Sequence, residues 1–599
     1  MTVRRRPFMP DEASSRENTG LALFGHRPTA LALLAAFILA AASCLTGQSA
    51  GLPSERRTLL TFGSKERVTQ LAPVLVKLRE EVFQAYDRAT EIRYSFQPGS
   101  KEIEVSLDGK KTAVPENKLH ALRSALLQTR YPDEQTTLAA LTRINPAKGR
   151  FDPGYYLYGG LFFYTAGAGI KFASVAGLFD LSYDIAHYFS NAADARMLYI
   201  APKVLTALIG LLAIPALFLA GMELGGRRTG LLAALFLAVT PAIAVEAHCL
   251  KPYLLFLPFM VLSVFFALRF LNTGEKRFSA WSGAMAGLSA GIYMTSGTAA
   301  FALAAAHLIR ARRAGGVWRA LEWKSLFLGV AAAALAFLAA NPYYLISFGK
   351  FAAYMQAIQA EVGRSFAFSN IIEHSFFGLQ KTLGLPLYLV ALAGLAAAAW
   401  KRSAEDLVLL AVIAPFYLNN ITSLWYNPHY DMPMVPVLLL WGARALSLLA
   451  ESGLRRTFRF IAAAVLVASA ARCLHYSTVF LRADDLYFRA GEWINASIPR
   501  GASISAELYP SIGAARGYPP FRLLDYRVNE AAEPDYFIDT PEFFTFRQKP
   551  PLPAGYKPLK TFTLTPVLLD RFFRNELVYF LGQPIDIYCR PDVCSKGGA

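Results

Sequence analysis

Long apolar runs recur along most of this 599-residue sequence. Many are about 17–22 residues long, and a helix of that length can cross the ~30 Å hydrocarbon layer of a membrane. Hydrophobic residues make up 54% of the chain, and the mean hydropathy is +0.33. A soluble fold would have too little polar surface to cover a core built from these runs. The pattern therefore predicts an all-α polytopic membrane protein.

The first apolar run, "TALALLAAFILAAASCLTG", follows a basic N-terminal tail. Its small-residue end resembles a signal-peptidase or lipoprotein site, but the tail is long for a signal peptide, so we interpret the run as an uncleaved span. With the later runs it predicts about eleven transmembrane helices. The later candidates are 201–222, 229–246, 252–271, 279–294, 296–309, 325–341, 383–400, 406–422, 431–450 and 459–475.

Basic residues outnumber acidic ones, giving a formal net charge of +17, and they gather in short loops. The loops "GGRRTG", "NTGEKRF", "RARRAGGVWRALEWK", "WKRSAED" and "LRRTFR" fall on one side of this topology, as cytoplasmic loops do. We expect an inner (cytoplasmic) membrane protein and no nucleic-acid binding. The predicted organisation is a cytoplasmic tail (1–28), a transmembrane domain (29–475) with an extracytoplasmic loop (51–200), and an extracytoplasmic C-terminal domain (476–599).

The aromatic segment 154–179 tests this topology. If it crossed the membrane once, every later basic loop would move outside, so we predict that it lies along the interface or re-enters from outside. The loop before it contains a helical pattern, "LAPVLVKLREEVFQAYDRATE", and an alternating pattern with a D-G turn, "IRYSFQPGSKEIEVSLDGKKTAV", which predicts a β-hairpin. The C-terminal tail predicts a small α/β domain, where Cys589 and Cys594 can pair if it is extracytoplasmic.

Carboxylates at the outer side are the candidate chemical groups. The sequence has no Walker A lysine, strand-coupled GxGxxG or HExxH pattern. Asp133 and Glu134 lie in "RYPDEQTTLAAL", and Asp152 lies in "GRFDPGYYLYGG". A positioned carboxylate can act as a general base. The structural alternatives are an acidic helix cap for the pair and a turn for Asp152.

Several cations lie on or near the predicted outer side, against the inside bias. Phosphate binding would explain them, because cations stabilise a phosphate leaving group. The alternative is snorkelling or pairing with lipid headgroups. These cations are Lys148, Arg150, Arg196, Lys203, Lys251 and Arg364.

In their order along the chain, these motifs resemble the GT-C glycosyltransferases, in particular the polyprenyl-phosphate-sugar-dependent branch. That branch includes the protein O-mannosyltransferases and the aminoarabinose lipid A transferases. "YPDEQTTLAAL" resembles their acidic pair and "GRFDPGYYLYGGLFF" their Pro-containing aromatic segment. "AANPYYLISFGKF", "NPHYDMPMVPVLLLWGARAL" and "FRAGEWINASIPRGASI" resemble later stretches, so that the similarity runs from residue 130 to about 510.

The resemblance implies a GT-C-type membrane enzyme that moves a sugar from a polyprenyl-phosphate donor to an acceptor hydroxyl on a protein, lipid or glycan, with inversion. Asp133 would be the catalytic base, and Glu134 would orient the site or the acceptor. The resulting donor-binding or substrate-binding candidates are Asp152, Arg150, Arg196, Lys251, Tyr253, His248 and Tyr155.

Tyr253 departs from the family pattern, since many relatives carry an acidic residue after the proline in the stretch matching "HCLKPYLL". A second acid would have to come from Asp152 or Glu246. No cofactor is certain, and a divalent cation stays open. Two other functions also stay open: a transporter or flippase of a lipid-linked or polyanionic substrate, and a non-catalytic assembly subunit. Acids clustered at one surface, with no internal repeat, favour the enzyme.

Overall fold

Helices form most of the chain in the computed structural model, which describes residues 27–88, 101–131, 133–423, 427–506, 518–540, 552–578 and 581–594. The helices of the N-terminal half are α1 (Arg27–Leu45), α2 (Glu55–Phe62), α3 (Lys65–Arg88), α4 (Glu116–Leu127), α5 (Glu134–Leu141), α6 (Gly160–Val175), α7 (Ile185–Ser190), α8 (Ala192–Gly210), α9 (Ala213–Ala238), α10 (Pro241–Glu246), α11 (Leu257–Thr273) and α12 (Lys276–Ile292).

The C-terminal half continues the bundle and adds a small sheet. Its helices are α13 (Ala300–Arg313), α14 (Val317–Ala320), α15 (Trp323–Ala340), α16 (Tyr343–Ile346), α17 (Phe348–Val362), α18 (Phe368–Ile372), α19 (Leu379–Leu383), α20 (Leu385–Lys401), α21 (Ala404–Thr422), α22 (Val435–Glu451), α23 (Arg455–Ser497) and α24 (Pro591–Cys594). The strands of the whole chain are β1 (Glu102–Leu107), β2 (Lys110–Pro115), β3 (Ser503–Ser505), β4 (Arg527–Val528), β5 (Tyr536–Asp539), β6 (Lys557–Phe562) and β7 (Ile585–Cys589).

Five helical stretches in the described residues are long and apolar enough to cross a membrane. They are Arg27–Leu45, Ala192–Ala238, Trp323–Ala340, Ala404–Thr422 and Arg455–Ser497, with Leu257–Thr273 and Leu385–Lys401 as shorter apolar helices. The prediction of a helical multi-pass membrane protein is confirmed. The figure of about eleven spans stays a prediction.

The predicted turn "GGRRTG" reverses the chain inside α9. Gly225 and Gly226 have non-helical dihedral angles, and Gly226 has φ 79°. A Cβ added to Gly221 would lie 2.6 Å from the Cα of Gly230. Residues nine apart would be about 13 Å apart in a straight helix, so the two halves of α9 pack antiparallel. Gly221 and Gly230 allow this close approach because neither residue has a side chain.

The insert before α5 has the predicted helix and hairpin. Its helix is α3, and β1 pairs antiparallel with β2. Asp108 and Gly109 connect the strands with φ of 50° and 76°, the positive values that a two-residue hairpin turn requires. Residues 89–100 of the predicted helix and hairpin lie outside the described part of the chain.

The C-terminal region contains a five-stranded mixed sheet of order β4-β3-β5-β7-β6. Strand β3 pairs parallel with β4 and β5, and β7 pairs antiparallel with β5 and β6. The expected small C-terminal sheet region is confirmed. Cys589 and Cys594 form a disulfide with a Cα–Cα distance of 5.7 Å, so the pairing that the sequence left open is present. Helix α23 runs without a break from the last predicted span into this region.

The aromatic segment packs inward over its first part. Tyr155, Tyr158, Phe162 and Phe163 are each at most 1% exposed, so these rings do not form a surface belt. Its later part carries exposed apolar side chains, including Phe172 at 74% exposure. An interfacial or re-entrant position for the segment stays a prediction.

Two glycines at the start of α6 make close backbone contacts with the helix bundle. The Gly159 N–H donates to the Ile292 carbonyl at 2.8 Å, and the Gly160 N–H donates to the Asn341 side-chain oxygen at 2.6 Å. A Cβ on Gly159 would lie 2.0 Å from the carbonyl oxygen of Gly291. The close contact joins the start of α6 to the C-terminal ends of α12 and α15.

Candidate active site

Asp133 immediately precedes helix α5 but does not cap it through its side chain. It occupies the N-cap position with φ 66° and ψ −4°, in the left-handed region, and its side chain makes no capping hydrogen bond. N-cap residues that do cap are usually extended. The carboxylate is therefore not the helix cap that the residue type alone suggests, and it is left for other contacts.

The Asp133 carboxylate forms an ion pair with Lys251. The Lys251 Nζ and the Asp133 Oδ2 are 3.2 Å apart. The lysine side chain is only 3% exposed, whereas that of Asp133 is 23% exposed. The pair thus has a buried cationic side and an accessible acidic side.

Glu134 holds the backbone that carries Lys251. Its Oε1 accepts a hydrogen bond of 2.8 Å from the backbone N–H of Leu250. One turn later, the Thr137 hydroxyl donates to the Leu250 carbonyl at 3.2 Å. Helix α5 therefore holds the peptide at Leu250 from both sides, which places the next residue, Lys251, beside Asp133.

A second, fully buried ion pair lies under the first. The Lys203 Nζ is 2.8 Å from the Glu134 Oε1, and neither side chain is exposed. The same ammonium lies 3.9 Å from the centre of the Tyr131 ring. Burial and the charge of Glu134 raise the pKa of Tyr131 well above its ordinary value, so its phenol stays protonated. Sequence reasoning named Lys203 as an outer cation but missed its pairing with Glu134.

Glu246 adds a third carboxylate to this group. It ends helix α10 and lies within electrostatic reach of Lys251. Its Oε2 is buried and makes no hydrogen bond within the described residues. Asp152 and Glu246 were the two candidates for a second acid, because Tyr253 occupies the position where many relatives have an acidic residue. Glu246 is the one within electrostatic reach of Lys251.

The Asp152 side chain stabilises a turn. Its two carboxylate oxygens accept hydrogen bonds from the Gly154 N–H at 2.8 Å and from the Tyr156 hydroxyl at 3.0 Å. An aspartate side chain favours this turn, because it can accept the backbone N–H two residues further on. Arg150 is exposed, and its backbone pairs with that of Asn145.

Three other candidates have packing roles. The ring nitrogens of His248 each lie 2.8 Å from a backbone carbonyl oxygen, and the ring stacks on Phe480 at 3.6 Å. Tyr253 is 3% exposed, with its ring centre 4.4 Å from that of His429. Tyr155 is fully buried among other aromatic rings. The sequence offers no signal that separates such residues from ligand contacts.

Arg196 belongs to a basic group around Asp484 in α23, which sequence reasoning missed. Asp484 accepts the Gly51 N–H at 2.9 Å. Arg130, Arg57 and Arg196 lie within electrostatic reach of its carboxylate. This group connects the start of the insert before α5 to α23.

A divalent cation does not fit the donors around Asp133. In the described ranges, no group of three or more His, Cys, Asp or Glu side chains is arranged to hold a metal. Asp133 and Glu134 each face a lysine ammonium instead. Lysine has no lone pair to offer a metal while it is protonated.

A family comparison supports the sequence resemblance. Residues 200–344 match the family model described as dolichyl-phosphate-mannose-protein mannosyltransferase. That region contains Lys203, Glu246 and Lys251, and it ends before the C-terminal sheet. A search of curated protein sequences found no match.

Several solved membrane-enzyme structures are distantly similar. ArnT from Cupriavidus metallidurans, in the apo state, is 14% identical, with 74% of this chain and 83% of ArnT covered and a TM-score of 0.43. ArnT bound to undecaprenyl phosphate gives 15% identity, coverages of 65% and 81%, and a TM-score of 0.44. An Archaeoglobus fulgidus oligosaccharyltransferase in complex with zinc and sulfate is 15% identical, with 76% of this chain and 62% of that chain covered and a TM-score of 0.33. Similarity this low transfers no structural detail.

The family match lies in the region that supplies both lysines of the site, and it agrees with the independent order of motifs along the chain. Over residues 200–344, this chain is therefore similar to the dolichyl-phosphate-mannose-protein mannosyltransferase family, which supports the resemblance to the GT-C glycosyltransferases.

Proposed function

We propose that this protein transfers a sugar from a polyprenyl-phosphate carrier to an acceptor hydroxyl at the extracytoplasmic face, with inversion at the anomeric carbon. The observation that carries this proposal is the Asp133–Lys251 pair, in which a partly exposed carboxylate faces a buried ammonium at 3.2 Å. The description of the matched family supports the choice of donor.

In the proposed step, the Asp133 carboxylate accepts the proton of the acceptor hydroxyl while the hydroxyl oxygen attacks the anomeric carbon. The bond between that carbon and the phosphate oxygen breaks, and polyprenyl phosphate leaves with the electron pair. Lys251 stabilises the negative charge that develops on the departing phosphate. A base within hydrogen-bond reach typically contributes about 10²–10⁴ in rate.

Glu134 and Lys203 act as positioning residues in this scheme. Glu134 accepts the Leu250 N–H and is neutralised by Lys203, and both side chains are shielded from solvent. Because the segment at Leu250 is held this way, Lys251 needs little reorganisation as charge develops, which is how preorganised groups lower a barrier. Glu246 places a further carboxyl group within electrostatic reach of Lys251.

Replacing Asp133 with Asn tests the base. The change removes the proton acceptor and keeps the side-chain volume, so we expect sugar transfer by the purified protein to fall about 10²–10⁴-fold. The measurement is product formation from a polyprenyl-phosphate sugar, with thermal stability recorded in parallel. Glu104→Gln, an exposed acid on β1, is the matched control and should leave the rate unchanged. Full activity of Asp133→Asn would remove Asp133 as the base.

Replacing Lys251 with Gln tests the phosphate contact. We expect kcat/KM for the donor to fall, because the leaving phosphate loses a buried cation. Lys251→Arg keeps the charge and should recover part of the loss. If both variants matched the wild-type protein in kcat/KM, Lys251 would serve only to hold Asp133.

Consumption of the lipid-linked sugar also separates the enzyme from the other candidate functions. Purified protein in detergent has no compartments, so a transporter would leave the donor intact. A non-catalytic assembly subunit would leave it intact as well. Release of polyprenyl phosphate under these conditions identifies the enzyme.

A further inference from the structure

Helix α23 carries a stripe of exposed apolar side chains along one face. Phe460, Val467, Leu474 and Leu481 recur at every seventh residue, and each is more than half exposed. Residues seven apart lie on the same side of a helix, two turns from each other. Because α23 is long and apolar enough to cross a membrane, this stripe marks a side of the helix that faces lipid.

The charges on α23 indicate where it enters and leaves the membrane. Arg459 is the last of three exposed arginines at the start of the helix, and residues 460–471 are uncharged. With a rise of about 1.5 Å per residue, Arg472 lies about 18 Å and Arg482 about 33 Å beyond Phe460 along the helix axis. The hydrocarbon layer is about 30 Å thick. The part of α23 between Arg472 and Arg482 therefore spans the level at which the helix leaves this layer.

The C-terminal region packs against α23 at this same level. The guanidinium of Arg482 donates hydrogen bonds to both carboxylate oxygens of Asp570, at 2.7 and 3.0 Å. The Oε2 of Glu576 lies 3.1 Å from the Nη2 of Arg472. We call residues 567–576 the return segment. Its two ion pairs with α23 fix its depth relative to the membrane.

The return segment has an inner and an outer side. On the inner side, the ring centre of Phe573 lies 5.7 Å from that of His475, and the guanidinium carbon of Arg472 lies 5.3 Å from the centre of the Phe573 ring. On the outer side, Leu568 is 67% exposed and Phe572 is 72% exposed. The segment therefore turns two large apolar side chains away from the protein, at the level of the membrane boundary.

The charges of the return segment match a lipid surface. Both of its acids, Asp570 and Glu576, are paired with arginines of α23. Its own cations, Arg571 and Arg574, are exposed. Exposed apolar side chains are common on proteins, so exposure alone does not identify a contact. Apolar groups with cations beside them, held at the boundary of the hydrocarbon layer, are typical of a segment that inserts into the membrane interface.

We propose that the return segment inserts Leu568 and Phe572 into the lipid leaflet at which α23 leaves the membrane, with Arg571 and Arg574 at the level of the headgroup phosphates. The partner of this surface is the bilayer itself. The C-terminal region then has a second contact with the membrane, in addition to its connection through α23. This inference does not depend on the reaction proposed above.

The depth of a spin label in the membrane tests the insertion. Phe572→Cys is labelled with a nitroxide in the full-length protein, in nanodiscs of phosphatidylcholine and phosphatidylglycerol. Background labelling should be low, because the three free cysteines are buried and the other two form a disulfide. Collisions of the label with oxygen, which concentrates in lipid, are compared with its collisions with a water-soluble nickel chelate.

Two further labelled positions provide the standards. Val467→Cys lies in the exposed stripe of α23 and is the standard for lipid. Leu559→Cys is the standard for water, since it replaces an exposed apolar residue on β6. Strand β6 ends against Trp493, which lies about 50 Å beyond Phe460 along the axis of α23. We expect the label at position 572 to be protected from nickel as at position 467. Nickel access equal to that at position 559 would overturn the proposal.

A charge next to the label tests the second inserted side chain. Leu568→Asp is combined with the labelled Phe572→Cys, and its carboxylate should pull the segment towards water, so nickel access at position 572 should rise. Leu568→Ile keeps an apolar side chain of the same size and should leave nickel access low. Because Leu568 is exposed, neither change should alter the unfolding midpoint. Equal nickel access in the two variants would show that Leu568 does not lie in lipid.

Discussion

At the scale of single residues, the site depends on which partner each charge finds. Asp133 and Glu134 are neighbours in sequence, yet the first pairs with Lys251 near solvent and the second with Lys203 in a fully buried position. Asp133 has a left-handed backbone conformation, and its side chain makes no hydrogen bond that caps α5. One carboxylate is thereby left accessible for chemistry while the other stabilises the fold.

Glu134→Gln is expected to destabilise the protein strongly. It leaves the Lys203 ammonium buried without its counter-charge, a situation that costs about 3–5 kcal/mol. The measurement is the unfolding midpoint in detergent, by temperature or denaturant.

A second change provides the control for that experiment. The double variant Glu134→Gln/Lys203→Met also removes the buried ammonium charge of Lys203, so it should recover much of the lost stability. A Glu134→Gln protein as stable as the wild type would show that the buried pair contributes nothing.

At the scale of elements, close backbone contacts determine where α6 and the adjacent aromatic segment lie. Gly159 hydrogen-bonds to Ile292 and leaves no room for a side chain against Gly291. The two halves of α9 meet through Gly221 and Gly230 in the same way. Small residues let helix backbones approach closely where the surrounding solvent is lipid.

Gly159→Ala should shift α6 away from α12. Its Cβ would lie 2.0 Å from a backbone carbonyl oxygen, which cannot move as a flexible side chain can. We expect a loss of about 1–3 kcal/mol, typical of overpacking, read from the unfolding midpoint.

Gly167→Ala is the matched substitution in the same helix. The nearest atom to its added Cβ is Leu141 Cδ2 at 3.4 Å, an ordinary contact. Since alanine also favours a helix over glycine, this variant should be neutral or slightly stabilising. Equal effects at the two positions would argue against the steric explanation.

At the scale of the whole molecule, charge distribution and the disulfide suggest the same orientation. Basic loops mark the cytoplasmic side, and disulfides persist in oxidising compartments. The Cys589–Cys594 bond lies in the C-terminal region, which the topology predicted from the sequence places outside. The outer insert and this region would then both lie on the side where a lipid-carried donor is required.

Cysteine labelling of intact cells tests this orientation. The free cysteines Cys44, Cys249 and Cys473 are buried, so background labelling should be low. A membrane-impermeant maleimide should label Lys110→Cys, at an exposed position of the hairpin, and should leave Arg313→Cys unlabelled until the membrane is permeabilised. The opposite pattern would invert the topology and remove the proposed extracytoplasmic reaction.

Local patterns accounted for the features that depend on residues close together in sequence. Apolar run length predicted a multi-pass helical protein, alternation with a D-G turn predicted the hairpin of β1 and β2, and the acidic pair drew attention to Asp133 and Glu134. Each of these rests on short-range spacing, which is visible without the fold.

The tertiary structure alone decided which charges meet. Lys251 reaches Asp133 because α5 packs against the segment at Leu250, which is 116 residues beyond Glu134. Lys203 reaches Glu134 from a different element, helix α8. Arg79 of α3 and Arg123 of α4 likewise line one cavity with residues of α5 and α6 through the packing of α3 and α4 on α7. Coulomb interactions depend on distance and burial in space, and a sequence without contacts specifies neither.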